Sequence, residues 1–170
     1  MTVRKIVTLP EPVLRRKARK VTEFGAELQT LIDDMIETMR AAPGVGLAGP
    51  QVDVSLRVIV VEFGDEENED APTKLYSVVN PEIVRFSTET VVGTEGCLSI
   101  PGFAGDVERS LSVTIKGLNR RGKPIRIKAR GWLARIFQHE VDHLDGVLFT
   151  DRAEKVWKIE EEAVQAVPVK

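Results

Sequence analysis

At 170 residues, with 42% hydrophobic and 29% charged side chains, the chain is long enough to bury a core without disulfide or metal staples, and its composition is globular rather than disordered or fibrous. A formal net charge of -2 and a pI near 5.8 leave no strong overall field to attract phosphate backbones or anionic lipid. No run of about 18 apolar residues offers a membrane span, so nucleic acid and membrane are excluded as primary partners, and the length predicts one domain over residues 1–170.

The opening "VRKIVTLPEPVLRRKARKV" is rich in Lys and Arg but lacks the apolar core and cleavage site of a targeting segment, so it is read as mature chain of a cytoplasmic protein. Leu28, Leu31, Ile32, Met35, Ile36 and Met39 recur at helical spacing, with Asp33, Asp34, Glu37 and Arg40 on the other face. This predicts an N-terminal amphipathic helix ending before Pro43 and Gly44. "APGVGLAGPQ" is too broken by glycine and proline for regular structure and is predicted to be a loop leading to the strand "LRVIVVEF". The acidic "GDEENEDAPT" predicts a solvated loop.

Further strands are predicted at "KLYSVVN", around Ile83 to Val92, at "LSVTIKGL" and at "KPIRIKA", where apolar and basic residues alternate with period two. "NRRG" between the last two is a hairpin turn, with Gly122 supplying permissive backbone angles. From Trp132 to Leu144 the apolar residues Leu133, Ile136, Phe137 and Val141 return to helical spacing, and Asp145 with Gly146 gives a stop. The C-terminal tail predicts a short helix packing Val156, Trp157 and Ile159 and ending at Pro168. Strands first and the long second helix afterwards predict an α+β fold of antiparallel β-sheets packed around that helix.

That helix carries "QHEVDHLDG", which holds both histidines of the chain. Residues four apart on a helix share a face, so His139 and His143 can hold one ion at about 2.0–2.1 Å if it is zinc, while Glu140, offset by one, reaches a water beside it. This is the HExxH arrangement, in which two side chains ligate and the third moves protons. The bland alternative is a pair of hydrogen-bonded helix histidines beside a solvated glutamate, but chance rarely sets a chain's two histidines four apart around one. A third ligand is still needed. The metzincin pattern would put a histidine where this chain has Phe149, so the third ligand is one of 26 carboxylates or the single cysteine, Cys97. Composition leaves that choice open. A lone cysteine is ordinarily a small buried hydrophobe, although "TEGCLSIPG" has the glycines and proline to bring backbone N–H groups close to a ligand.

Three segments together, "GVGLAGPQ" (Gly44 to Gln51), "EGCLS" (Glu95 to Ser99) and "QHEVDH" (Gln138 to His143), resemble the peptide deformylases in composition, order and spacing, and the likeness runs from Leu9 to Arg152. The resemblance implies a metal-dependent hydrolase that removes the formyl group from the N-terminal methionine of newly made polypeptides and releases formate. It implies Cys97, His139 and His143 as ligands of one divalent ion, natively ferrous iron, with zinc, nickel or cobalt able to stand in. A metal-bound water attacks the formyl carbon, with Glu140 as general base and then acid, and the Gln51 amide and Leu98 N–H stabilise the oxyanion. Gly46 is implied to pair with the peptide as an added strand, with Val45, Trp132 and Ile136 lining or bordering the methionine pocket. Glu95 and Arg109 are implied to form an ion pair bracing the cysteine loop.

Three departures from the family pattern stand out. Gly49 occupies a usual alanine position and is expected to loosen the backbone beside Gln51. Arg135 occupies an often apolar position and is expected to make the pocket rim more polar. The tail does not resemble the long basic helix with which some deformylases touch the ribosome, which leaves at most a transient contact. The rival readings are a zincin-type peptidase with a carboxylate as third ligand and a non-catalytic metal-binding or nascent-chain-binding module.

Overall fold

The computed structural model describes residues 1–64, 68 and 70–159. In chain order the elements are α1 (Ala26–Ala41), β1 (Gly46–Ala48), β2 (Val58–Phe63), β3 (Lys74–Phe86), β4 (Thr90–Cys97), β5 (Ile100–Ser110), β6 (Ser112–Leu118), β7 (Pro124–Arg130), α2 (Trp132–Leu144), α3 (Phe149–Arg152) and β8 (Lys155–Lys158), with short 3-10 turns at Pro12–Arg15 and Gly49–Val52. All strand pairings are antiparallel and form two sheets, one ordered β1-β2-β3-β6-β7 and the other β4-β5-β8. The fold is α+β.

β2 explains how the first sheet is covered on both faces. Its "VIVV" run has no polar alternation and is fully buried, as in a strand covered on two sides. Val58 and Val60 pack with Leu31, Ile32, Met35 and Met39 of α1 on one face; Ile59 and Val61 pack with Ile136, Phe137 and Val141 of α2 on the other. Asp34, assigned to the solvent face of α1 by its period, is instead buried. The N-terminal segment crosses it, and its carboxylate accepts hydrogen bonds from the Thr2 N–H at 2.9 Å and Arg4 Nε at 2.9 Å, the Thr2 bond being the chief reason its pKa is lowered. Among the described residues no helix is long and apolar enough to cross a membrane.

Several elements differ from the sequence-based expectation. The "GVGLAGPQ" loop contains β1 and a 3-10 turn, because strand β2 supplies partners for Gly46, Leu47 and Ala48 that local propensity could not reveal. The strand expected around Ile83 to Val92 is the end of β3 and the start of β4. β3 runs straight through Asn80 and Pro81, accommodating them with a bulge and with Asn80 at φ 52, its side chain bridging the N–H and C=O of Val21 at 2.8 and 3.0 Å. β5 was hidden by Pro101, Gly102 and Gly105. The expected C-terminal helix is replaced over Lys155–Lys158 by β8, which satisfies the open edge of β5 from Phe103 to Asp106. Val156 is exposed there rather than packed. The rest of that tail, and most of the acidic loop, lie outside the described residues.

Candidate metal centre

Two elements converge on one buried cluster. α2 presents His139 and His143 one turn apart on the same face, and the end of β4 delivers Cys97 from the second sheet. One ligand atom from each lies within 4.8 Å of the others, and Cys97 Sγ is 3.3 Å from His143 Nε2. His139 Nε2 and His143 Nδ1 are buried with no hydrogen-bond partner among the described residues. Orphaned buried imidazole nitrogens demand an explanation, and for His139 a cation supplies it. Thiolate with two imidazoles is a donor set that zinc and ferrous iron accept, so the residues fit a single divalent ion.

Burial dominates the protonation of the cluster. Burial, reinforced by His139, pushes the His143 imidazole well below its usual range, so it is neutral and free to ligate. Burial pushes the Cys97 thiol up to about 12, against the Ser99 and Ile100 backbone N–H groups that approach its sulfur and favour the ionised form. Those two N–H groups exist because β4 turns into β5 immediately after Cys97, through Leu98 and Ser99. Burial, and then the charge on Glu95, push the Glu140 carboxyl well above the carboxylate range. Both its oxygens are buried and without a partner among the described residues.

Glu95 organises the cluster from behind. Its Oε1 accepts from His139 Nδ1 at 2.8 Å, which leaves Nε2 with its lone pair toward the cluster. Arg109 donates to both carboxylate oxygens at 2.8 and 2.9 Å, and Arg135 donates to Oε2 at 2.7 Å. Burial alone would raise the Glu95 pKa, but the hydrogen bonds from Arg109 and His139 outweigh it and hold the carboxyl far below its usual range. The pair is no surface salt bridge: Glu95 is 0% and Arg109 4% exposed.

The position of Arg135 corrects the expectation of a polar pocket rim. The residue is buried, and besides Glu95 it donates to the carbonyls of Val107 at 2.8 Å and Val91 at 2.7 Å, tying α2 to both β4 and β5. Gly93 makes this possible, since a Cβ there would stand 2.9 Å from the guanidinium carbon. Sequence reading overlooked the role; the available signal was Arg135 four residues before His139, with a side-chain-free position two before Glu95. Arg135→Met is expected to destabilise the fold by about 1–3 kcal/mol, and to weaken metal retention about 10–100-fold. Urea unfolding and chelator competition measure the two effects.

Gln51 is fully buried and pinned at both ends of its amide. Oε1 accepts from the Ala48 N–H at 3.0 Å, while Nε2 faces Ser99 Oγ at 3.2 Å and Cys97 Sγ at 3.7 Å. Gly49 does not loosen this turn. A Cβ at that position would meet the carbonyl oxygens of Leu56 at 2.6 Å and Val54 at 2.8 Å, so the glycine lets the following loop close onto the turn. Gly49→Ala is therefore expected to be destabilising by about 1–3 kcal/mol, visible as a lower urea midpoint.

Gly46 serves Glu140 directly: a Cβ there would stand 2.5 Å from Glu140 Oε2. β1 lies at the edge of its sheet, with β2 on one side only. Leu98 is half-buried in the turn after Cys97. Val45 and Trp132 are half-buried against the core around α2, and Ile136 is fully buried within it. Phe149 stacks on the His139 ring, centroids 6.3 Å apart and planes inclined 19°.

An HExxH helix with a buried cysteine beside it, and a buried glutamate whose oxygens have no partner among the described residues, is the arrangement of a metal-dependent hydrolase. The family model for polypeptide deformylase matches residues 3–158. The chain is 52% identical to a peptide deformylase of Symbiobacterium thermophilum, over 95% of this chain and 72% of that one, and 48% identical to one of Natranaerobius thermophilus, over 95% and 99%. A solved peptide deformylase from Thermotoga maritima superposes with a TM-score of 0.84 at 41% identity, covering 91% of this chain and 100% of that one. The chain belongs to the polypeptide deformylase family. Its activity is removal of the formyl group from N-terminal formylmethionine.

Proposed function

We propose that residues 1–170 form one catalytic domain, built around α2 as the metal-bearing helix, in which Cys97, His139 and His143 hold the ion and Glu140 moves the proton. The observation that carries this reading is the buried convergence of one sulfur and two imidazoles within 4.8 Å. Ferrous iron is the native ion and zinc, nickel or cobalt can replace it, because thiolate and imidazole accept all of them. When bound, the ion supplies Lewis acidity and makes a nearby water easier to deprotonate.

The remaining work belongs to the chain. Glu140 accepts the proton of the attacking water and returns it to the departing amine. Its buried carboxylate suits both steps, since among the described residues no competing hydrogen bond holds either oxygen. The Gln51 amide and the Leu98 N–H receive the negative charge that develops on the formyl oxygen. Fixing Gln51 through Ala48 before substrate arrives removes the reorganisation such a donor would otherwise need. The peptide pairs with the open edge at Gly46 as an added strand. Its methionine side chain sits against Val45 and Trp132, with Ile136 behind them. Glu95, supported by Arg109 and Arg135, orients His139. The substrates are N-formylmethionyl nascent peptides met in the cytoplasm, with contact to the ribosome transient.

The test is formate release from a formyl-Met peptide by anaerobically purified, iron-loaded protein. Release that disappears on chelation and returns with the metal is expected. Stoichiometric metal binding without formate release would overturn the assignment of the site.

A further inference from the structure

The alternation of basic and apolar residues in β7 plays no part in the chemistry above. Ile125, Ile127 and Ala129 turn inward with Val113 and Ile115 of β6. Arg126, Lys128 and Arg130 are left exposed on the opposite face. The register extends that face across three strands: Lys116 lies opposite Arg126, Thr114 opposite Lys128, and Arg85 of β3 opposite Thr114. Five cations, Arg85, Lys116, Arg126, Lys128 and Arg130, thus share one surface in a protein of net charge -2, with Glu82 as the one carboxylate paired into it among the described residues of β3, β6 and β7. Among the described residues none of the five has an ion-pair partner.

Protection of an open sheet edge accounts for charges on β7. It does not account for Lys116 and Arg85, whose strands are paired on both sides, nor for the uniform sign. One end of the surface is concave. A groove of about 560 Å³ runs between Arg85, Ser112, Thr114, Lys128 and Arg130. A concave site with hydroxyl donors suits a narrow anionic strand better than a flat bilayer. Alternate residues along β7 stand about 6.6 Å apart, so successive cations can each meet a separate phosphate of one extended strand.

We propose that this face binds the phosphodiester backbone of a single-stranded nucleic acid without reading its sequence. It lies on the side of the sheet away from α2, so an occupied surface leaves the metal centre open. The whole-chain charge that excludes nucleic acid averages over this asymmetry. The inference does not depend on the residue roles proposed for the hydrolytic site.

The experiment is fluorescence anisotropy of a labelled oligouridylate of about 16 nucleotides against the metal-loaded enzyme at rising salt. Binding with a slope of log K on log salt of about -2 to -3.5 is expected, from three to five phosphate contacts. The double reversal Arg126→Glu, Lys128→Glu is expected to weaken binding at least about tenfold and to flatten the slope by about 1–1.5. Formate release from a small formyl peptide should be unchanged in that variant, which also reports that it is folded. A control reversal of equal charge at the exposed Lys5 and Lys17, which lie on none of β3, β6 and β7, should leave most of the binding intact. Equal affinity for the matching DNA assigns recognition to phosphates alone, and tighter binding of RNA adds its 2′-hydroxyls; both support the proposal. It is overturned by no binding at low salt, by equal weakening in the control variant, or by binding to anionic phosphatidylserine vesicles with none to the oligonucleotide.

Discussion

Glu140→Gln is expected to lower formate release by about 10²–10⁴-fold while the protein still binds its metal. The substitution keeps the shape of the side chain and removes its ability to take and return a proton. Both Glu140 oxygens are buried without partners among the described residues, so no hydrogen bond there is broken that would unseat α2. Burial already disfavours the charged carboxylate in the metal-free protein, and the neutral amide avoids the cost of burying a charge. Stability should be equal to wild type or slightly higher. Parallel measurement of formate release, metal stoichiometry and urea midpoint separates these effects. A variant with metal bound and kcat within tenfold of wild type would remove Glu140 from the proton-transfer role.

The contrast between α2 and the cysteine hairpin shows what sequence periodicity can carry. α2 was legible over its whole length because its apolar residues keep a helical period and Gly146, at φ 74, marks its end. The two histidines came with it. Cys97 was different, since spacing along the chain does not reveal which strand end meets a helix more than 40 residues away. Only the family likeness separated it from 26 carboxylates. Likewise β1 reads as a broken loop because its glycines answer to groups remote in sequence: Gly46 makes room for Glu140, and Gly49 for the carbonyls of Val54 and Leu56. Arg135 was misread for the same reason. A buried arginine is intelligible only once Glu95, Val91 and Val107 are seen around it. Local pattern reported which face is apolar; the long-range pairs that assemble the site left little local trace.

Cys97→Ala is expected to abolish tight metal binding and, with it, activity. Among the described residues no carboxylate joins the histidines in place of the sulfur, and Glu95 is committed to two guanidinium groups and to His139 Nδ1. Glu140 joins no metal-competent cluster among the described residues. The pH dependence distinguishes a thiolate ligand from a carboxylate. With its pKa pushed up to about 12, the Cys97 thiol is protonated at neutral pH, whereas His143, pushed down, is not. Binding an ion through the sulfur must therefore expel one proton, so higher pH favours binding. The apparent binding constant should rise about tenfold per pH unit across the neutral range, with the slope lost only as the pH approaches the thiol pKa. A carboxylate of ordinary pKa is already ionised there and gives no such slope. Competition between the protein and a chromophoric zinc chelator from pH 6 to 8 reads the slope directly, provided the chelator's own protonation is calibrated. A flat profile in the wild type, or metal retained at wild-type affinity by Cys97→Ala, would move the third ligand from Cys97 to a carboxylate and turn the site into that of a zincin-type peptidase.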